Sequence, residues 1–348
     1  MIGRPAGISD CELALRQGRW DPQLCLRAWQ QAKNKPSPHN IYLALKVQHA
    51  LCGLQAHHLD QTEQQIVEQR IRWHAVTIRL LCAHLQLKQF DRAKALLDSR
   101  LTGRINPIRA RLLSGFPCAL NYLEQQQPER LTGGLRGLAV HAEQLLRDCD
   151  HLNPAMLKSI GRRSNSTQRI AVVGNAPCIL ENNDGAEIDN HDIVVRFNIA
   201  NPLTKLTKHI GSRTDLWVIS PALAGRQSSP PVNVFALSSV NPLDGQSRYW
   251  RSLHKHGIAR LVLFNQQDWY ELVAKLHAPP SAGLLMLKSL QRMATNQTVN
   301  VFGFTTSVDQ SLTLRPGYNY LSKKAGSTRH NWAEETRLIE EMLPVRAA

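Results

Sequence analysis

No stretch of this 348-residue chain approaches the roughly 18 consecutive apolar residues that a membrane-spanning helix needs. Its opening segment, MIGRPAGISDCELALRQGRW, also lacks the apolar centre of a secretory signal. The cysteines are seven, an odd number, scattered and without a C-x-x-C pair. That excludes the usual zinc spacing and suits reduced thiols better than a disulfide scaffold. The expected location is therefore the cytoplasm, with a peripheral position at the inner membrane as an extension. Acidic residues are in deficit, 27 against 42 Lys and Arg, for a formal charge of +15. Such a charge calls for an anionic partner: a nucleotide sugar, an acidic glycan, an anionic membrane surface or nucleic acid. No recognised RNA- or DNA-binding motif is present, so nucleic acid is not expected.

What is present reads as globular, with 43% hydrophobic and 20% charged residues. The length allows one large domain or two ordinary ones. Residues 1–157 read as helical. Leu43, Val47, Ala50 and Leu54 recur at helical spacing, as do Val67, Ile71, Ala75 and Ile78 on toward Leu85. Phe90 to Leu97 has the aromatic-then-alanine spacing of a tetratricopeptide second helix. Lys88 stands where glycine is usual, however, and no second copy follows, so a plain bundle is favoured over a repeat array. This half is expected to act as an adaptor or an acceptor-selecting module. Gly133-Gly134 precede a further helix, Leu138 to Cys149, and the polar, basic stretch Ser159 to Arg169 reads as a linker.

Residues 158–348 alternate strand and helix patterns, which predicts an α/β, Rossmann-like, mostly parallel sheet. Strands are expected at Ile170–Val173, Ile193–Phe197, Leu216–Ile219, Val232–Leu237, Leu261–Phe264 and Val299–Phe304. The first, in RIAVVGNAPC, runs straight into Gly174-Asn175, and the second, in IVVRFNIA, ends on Asn198. Leu180 to Asn183 is expected to form a helical turn that Gly185 breaks. Two strands thus each carry an asparagine to their C-terminal end, where open α/β sheets bind ligands. Gly174 is the only glycine of its turn, so the G-x-G-x-x-G spacing is missing and NAD or FAD is not expected. An asparagine offers two donors and an acceptor without charge, a sensible partner for a mononucleotide.

Three further segments stand out. Ser281-Ala282-Gly283 precedes an apolar helix, Leu284 to Met293. The N–H groups freed at a helix start suit a phosphate or carboxylate, although Ser281 could equally be a plain cap. His330-Asn331-Trp332-Ala333-Glu334-Glu335 opens the last helix, and His330 is the only histidine after the apolar helix. Tyr318-Asn319-Tyr320 forms a smaller aromatic landmark between the two.

These segments resemble the motifs of the eukaryotic-type sialyltransferases, glycosyltransferase family 29. VVGNAP, EIDNHD and VVRFNIA match the long motif, Pro280 to Phe304 the short one, and His330 with Glu335 the very short one, with this chain in the place of a bacterial-type member. The likeness implies a GT-A-like variant of the parallel sheet and a CMP-activated sugar donor, with no cofactor and no metal. It implies transfer with inversion of sialic acid from CMP-sialic acid to a hydroxyl of an acceptor glycan. In that scheme His330 is the general base and Glu335 orients it. Asn175 and Asn198 hold CMP, Ser281, Ala282 and Gly283 meet the phosphate or sugar carboxylate, and Tyr318 or Tyr320 contacts the donor phosphate. Several positions depart from the family pattern. Ile170 and Asn296 occupy its paired cysteine positions, Ala282 stands for a threonine and Tyr318 for a histidine. The N-terminal half lies outside the likeness. Two alternatives stay open: transfer of another CMP-activated acidic sugar such as Kdo, or a non-catalytic nucleotide-binding adaptor.

Overall fold

A computed structural model describes residues 10–68, 74–87, 89–100, 141, 144–145, 148–162, 168–198, 204–219, 234–237, 253–254, 258, 260–293, 297–304 and 329–342. The chain divides into two compact units, Met1–Arg147 with Asn241–His254, and Asp148–Val240 with Lys255–Ala348. The division thus falls at 147/148 rather than 157/158. Strand β1 (Asp150–His151) and the helix after it already belong with the sheet.

The first unit contains helices α1 (Asp10–Arg16), α2 (Gln23–Asn34), α3 (Pro38–Leu51), α4 (Ala56–Glu68), α5 (His74–Gln86) and α6 (Phe90–Arg100). Ser37 starts α3 by accepting the N–H of Asn40 at 3.2 Å, with Pro38 in the first turn where a missing N–H costs nothing. Helix α3 is the centre of this unit: Ile41, Leu43, Ala44, Leu45, Val47 and Leu51 are all buried. Helix α2 lays Leu24, Ala28 and Ala32, one turn apart, onto the same core. The stripe expected from Val67 onward is corrected. Val67 is 61% exposed, and α4 instead buries Leu59, Thr62 and Ile66, one residue out of phase. Leu138 to Cys149 falls largely outside the described residues, and its last residue, Cys149, is not helical.

Among the described residues, the second unit holds a seven-stranded, wholly parallel sheet. Its strands are β1, β2 (Gln168–Val173), β3 (Ile193–Phe197), β4 (Leu216–Ile219), β5 (Val234–Leu237), β6 (Arg260–Leu263) and β7 (Gln297–Phe302), in the spatial order β1-β6-β5-β4-β3-β2-β7. From β2 to β6 the chain steps one way across the sheet, then returns to lay β7 on the other side of β2. The expected Rossmann-like architecture is therefore present, with its switch point between β2 and β7. Ile170, Ala171, Val172 and Val173 are all buried, as befits a central parallel strand covered on both faces. Complete burial of each valine or isoleucine contributes about 1.5–3 kcal/mol.

Helix α7 (Pro154–Ile160) is capped by Asn153, whose Oδ1 accepts the Met156 N–H at 2.8 Å. Ser159 and Ile160 lie in α7 and Gln168 and Arg169 in β2, so the expected linker joins two elements of one unit. A short helix, α8 (Gly185–Asp189), begins where a break was expected. Gly185 is required there by contact, since a Cβ would sit 2.0 Å from the Thr207 carbonyl oxygen of α9 (Thr207–Ile210). Helices α10 (Gln266–Leu276) and α11 (Ala282–Met293) precede β7, and α12 (Trp332–Met342) follows it. Buried Asp268 of α10 accepts Ser289 Oγ and Arg292 Nε of α11, each at 2.8 Å, which locks that pair. Helix α12 docks through Glu335, Leu338 and Ile339, an i, i+3, i+4 stripe whose first member is acidic.

Among the described residues, no helix is long and apolar enough to cross a membrane, and no cluster of His, Cys, Asp or Glu has the makings of a metal site.

Candidate active site

At the switch point the turns after β2 and β7 lie back to back. The Gly174 N–H donates to Phe302 O at 2.7 Å and the Ala176 N–H to Gly303 O at 2.9 Å. No side chain fits between them: a Cβ on Gly174 would stand 2.3 Å from Gly303 O. Gly303 itself adopts a φ of +65°, the left-handed region open to glycine. That turn throws the Phe304 ring across the end of the sheet. There it meets Phe197 edge-on at 6.1 Å between centroids, and it fills the space that a Cβ on Gly174 or on Gly283 would need. One aromatic ring thus holds together the ends of β2 and β3 and the start of α11.

The two asparagines flank this ring. Asn175 Nδ2 donates to Phe197 O at 3.2 Å, bridging the ends of β2 and β3. By the inventory of an amide side chain, its second N–H and its Oδ1 remain to be used. Asn198 has a φ of +56°, which asparagine tolerates better than most residues. Its N–H donates to Val218 O at 2.8 Å and its carbonyl accepts Trp217 Nε1 at 2.6 Å, so the backbone is held from both sides.

Ser281 caps α11. Its hydroxyl accepts the Leu284 N–H at 3.3 Å, and its own N–H donates to Glu335 Oε1 at 2.9 Å. Helix geometry leaves the N–H groups of Ala282 and Gly283 without intrahelical partners, so these two carry the positive end of the helix dipole. Because α11 leads into a parallel strand, its start lies at the C-terminal ends of the strands, where Gly283 touches Phe304.

His330 arrives at the same cap. Its Nδ1 lies 2.8 Å from Pro279 O and 3.6 Å from Glu335 Oε1. A carbonyl only accepts, so Nδ1 carries the proton and Nε2 keeps a lone pair. Burial lowers the imidazole pKa below its ordinary value, outweighing the hydrogen bond to Pro279. Glu335 is 1% exposed, and burial pushes its carboxyl up to about 7 against the opposing hydrogen bonds from Ser281. Although the two side chains lie within ion-pairing distance, burial drives both toward neutrality. Asn331 completes the dock: its Nδ2 donates to Leu276 O at 3.1 Å.

The structure therefore brings His330, Glu335 and Ser281 into direct or near contact. It links them through Gly283 and Phe304 to the strand ends that bear Asn175 and Asn198. Tyr318 and Tyr320 lie outside the described residues, as does Asn296. Sequence reasoning passed over Phe304, Gly303 and Pro279. In the sequence Phe304 reads as the end of a strand, which in the structure stops at Phe302, and a carbonyl acceptor such as Pro279 has no side-chain signature.

The polar network at Gly211-Ser212-Arg213-Thr214-Asp215 lies at the other end of the strands. Asp189 accepts the Ser212 and Arg213 N–H groups at 2.8–2.9 Å, and Asp215 Oδ2 accepts the N–H of Val194 at 2.8 Å, early in β3. It staples loops and takes no part in the site.

Residues 135–237 match the model of glycosyltransferase family 29 (sialyltransferase). That span includes Asn175 and Asn198; Ser281, His330 and Glu335 lie beyond it. Similar solved structures include two mammalian sialyltransferases. One is a mammalian sialyltransferase, with 18% identity, a TM-score of 0.42, and 64% of this chain and 81% of that one covered. The other is a mammalian sialyltransferase in complex with Gal-beta-1-3GalNAc-ortho-nitrophenol, with 18% identity, a TM-score of 0.41, and 63% and 79% covered. The family match and the motifs that surround it make the chain similar, over residues 135–237, to glycosyltransferase family 29, the sialyltransferases.

Proposed function

We propose that the enzyme transfers sialic acid from CMP-sialic acid to a hydroxyl of an acceptor glycan, with inversion and without metal. His330 Nε2 removes the acceptor proton as the glycosidic bond forms. The pinned Nδ1–H leaves the lone pair on Nε2, and the lowered pKa keeps that nitrogen unprotonated at neutral pH. Asn175 and Asn198 hold the CMP moiety at the strand ends. The free N–H groups of Ala282 and Gly283 face the departing phosphate or the sugar carboxylate, with Ser281 as the cap that orders them. Glu335 positions the cap and the imidazole together. Tyr318 and Tyr320 are further donor contacts on this reading. The observation that carries it is the meeting of His330 and Ser281, the cap of α11, at Glu335 Oε1, 3.6 and 2.9 Å away.

CMP release from CMP-sialic acid and from CMP-Kdo, measured in EDTA, tests the reading. We expect release with CMP-sialic acid, and a loss of about 100- to 10,000-fold in His330→Ala. Release from CMP-Kdo alone would move the donor to that second acidic sugar, since the nucleotide contacts are shared. An unchanged rate in His330→Ala would remove the base assignment.

A further inference from the structure

Outside the site, the helical unit holds a pair of thiols in an unusual setting. Cys25 Sγ and Cys52 Sγ lie 3.2 Å apart, although 27 positions separate them in the chain. Both are free. Cys25 sits in the first turn of α2 and is buried, with Sγ also 3.9 Å from Val47 O; Cys52 follows the last turn of α3 and is exposed. Their seats are fixed by a relay of side chains. Trp29 Nε1 of α2 donates to Gln48 Oε1 of α3 at 3.1 Å, and Gln48 Nε2 donates to Gly53 O at 3.0 Å, just beyond Cys52. Gly53, with a φ of +84°, then turns the chain just beyond the exposed Cys52.

We propose that Cys25 and Cys52 form a reversible disulfide, a redox modification site that joins α2 to the end of α3. The two sulfurs have unlike parts. Cys52 is accessible while Cys25 is buried, so Cys52 is the sulfur that meets an oxidant from solvent and reacts first as thiolate. Their mutual contact draws the Cys52 thiol down, while the same contact and burial push Cys25 up. The oxidant is a low-molecular-weight disulfide. The Cys52 thiolate attacks one of its sulfurs and expels the other as a thiolate. Cys25, giving up its proton, then attacks Cys52 Sγ and releases the second small thiol. Two protein thiols and one small disulfide become one protein disulfide and two small thiols. Closing the bond requires an approach of only about 1 Å.

The test uses the reduced full-length chain, treated with oxidised glutathione, alkylated and mapped by peptide mass spectrometry. The expected product is a Cys25–Cys52 cross-link that forms ahead of any other cysteine reaction and is lost on adding dithiothreitol. In Cys25→Ser the first adduct has no resolving partner, so glutathione should stay on Cys52. In Cys52→Ser no adduct should form on Cys25. Glutathione persisting on Cys52 of the wild-type chain, or a link that engages Cys11 first, would overturn the proposal. The wild-type map needs no substitution, so it decides the question even where a variant fails to fold.

Discussion

Replacing Glu335 by glutamine isolates what burial does to one carboxyl. In the folded chain this group titrates at about 7, against 4.5 for an ordinary glutamate, because it is desolvated. At about 1.4 kcal/mol per pH unit, ionising it in place costs about 3 kcal/mol more than ionising it in the unfolded chain. The folded state therefore holds a proton that the unfolded chain has already released. Its contribution to stability is complete below pH 4.5 and is lost as the pH rises toward 7. Glutamine keeps an acceptor for the Ser281 N–H and never ionises. Its NH2 takes the place of Oε2, which is buried without a partner, so the variant pays about 1–3 kcal/mol for an unmatched donor at every pH. The diagnostic quantity is thus the slope and not the absolute stability. His330, with its lowered pKa, pulls stability the opposite way, but it is present in both proteins and largely cancels in the difference. Urea unfolding at a series of pH values from 4.5 to 8 should show Glu335→Gln gaining on the wild type by about 3 kcal/mol across that window. Parallel pH curves for the two proteins would show that Glu335 is not a desolvated carboxyl, and the account of the cap would fail with it.

Gly283→Ala would place a Cβ 2.6 Å from the Phe304 ring and should cost about 1–3 kcal/mol, read from urea midpoints. Adding Phe304→Leu should recover much of that loss. The same second change should leave Gly174→Ala unrescued, because Gly303 O, a backbone atom, stands 2.3 Å from the new carbon. The acid limb of the rate of CMP release should have its midpoint below about 6.5, and a midpoint above that value would contradict a desolvated imidazole base. Asp189→Ala should lower stability by about 1.5–3 kcal/mol while leaving the donor KM unchanged, since its partners Ser212 and Arg213 lie at the far end of the strands.

How far the sequence could be read depended on how local each signal was. Ile193–Phe197 and Leu216–Ile219 are strands with the expected bounds, because a buried parallel strand shows as a near-continuous apolar run, broken here only by Arg196. Strand β2 begins earlier than its apolar run, at Gln168, since pairing with Gln297 and Thr298 of β7 extends it by backbone bonds alone. Gly185 looked like a helix breaker and starts a helix, because its lack of a Cβ serves a contact with Thr207 that no local pattern encodes. Val67 was placed in a stripe that Ile66 occupies, a one-residue error that periodicity alone cannot correct near a helix end. Asn175, Asn198, Ser281, His330 and Glu335 stand out in the sequence as motif residues, and of these the structure brings Ser281, His330 and Glu335 together. Phe304 became visible only when the return of β7 beside β2 placed its ring between Gly174 and Gly283.

That return also bears on a difficulty in the proposed chemistry, which sets a glutamate beside a donor carrying a phosphate and a carboxylate. An ionised Glu335 would repel such a donor, and a surface glutamate could not avoid being ionised at neutral pH. The docking of α12 on α11 resolves the conflict. By burying Glu335 among the core positions of α12 it raises the carboxyl to about 7, so much of the population is neutral at neutral pH. The same burial lowers the imidazole, so His330 is ready to accept a proton instead of already holding one. The positive charge that the donor needs then comes from the N–H groups of Ala282 and Gly283, fixed dipoles that neither titrate nor reorganise. A cap built from a glutamate is therefore compatible with an anionic substrate only when it is buried, and in this fold α12 supplies that burial.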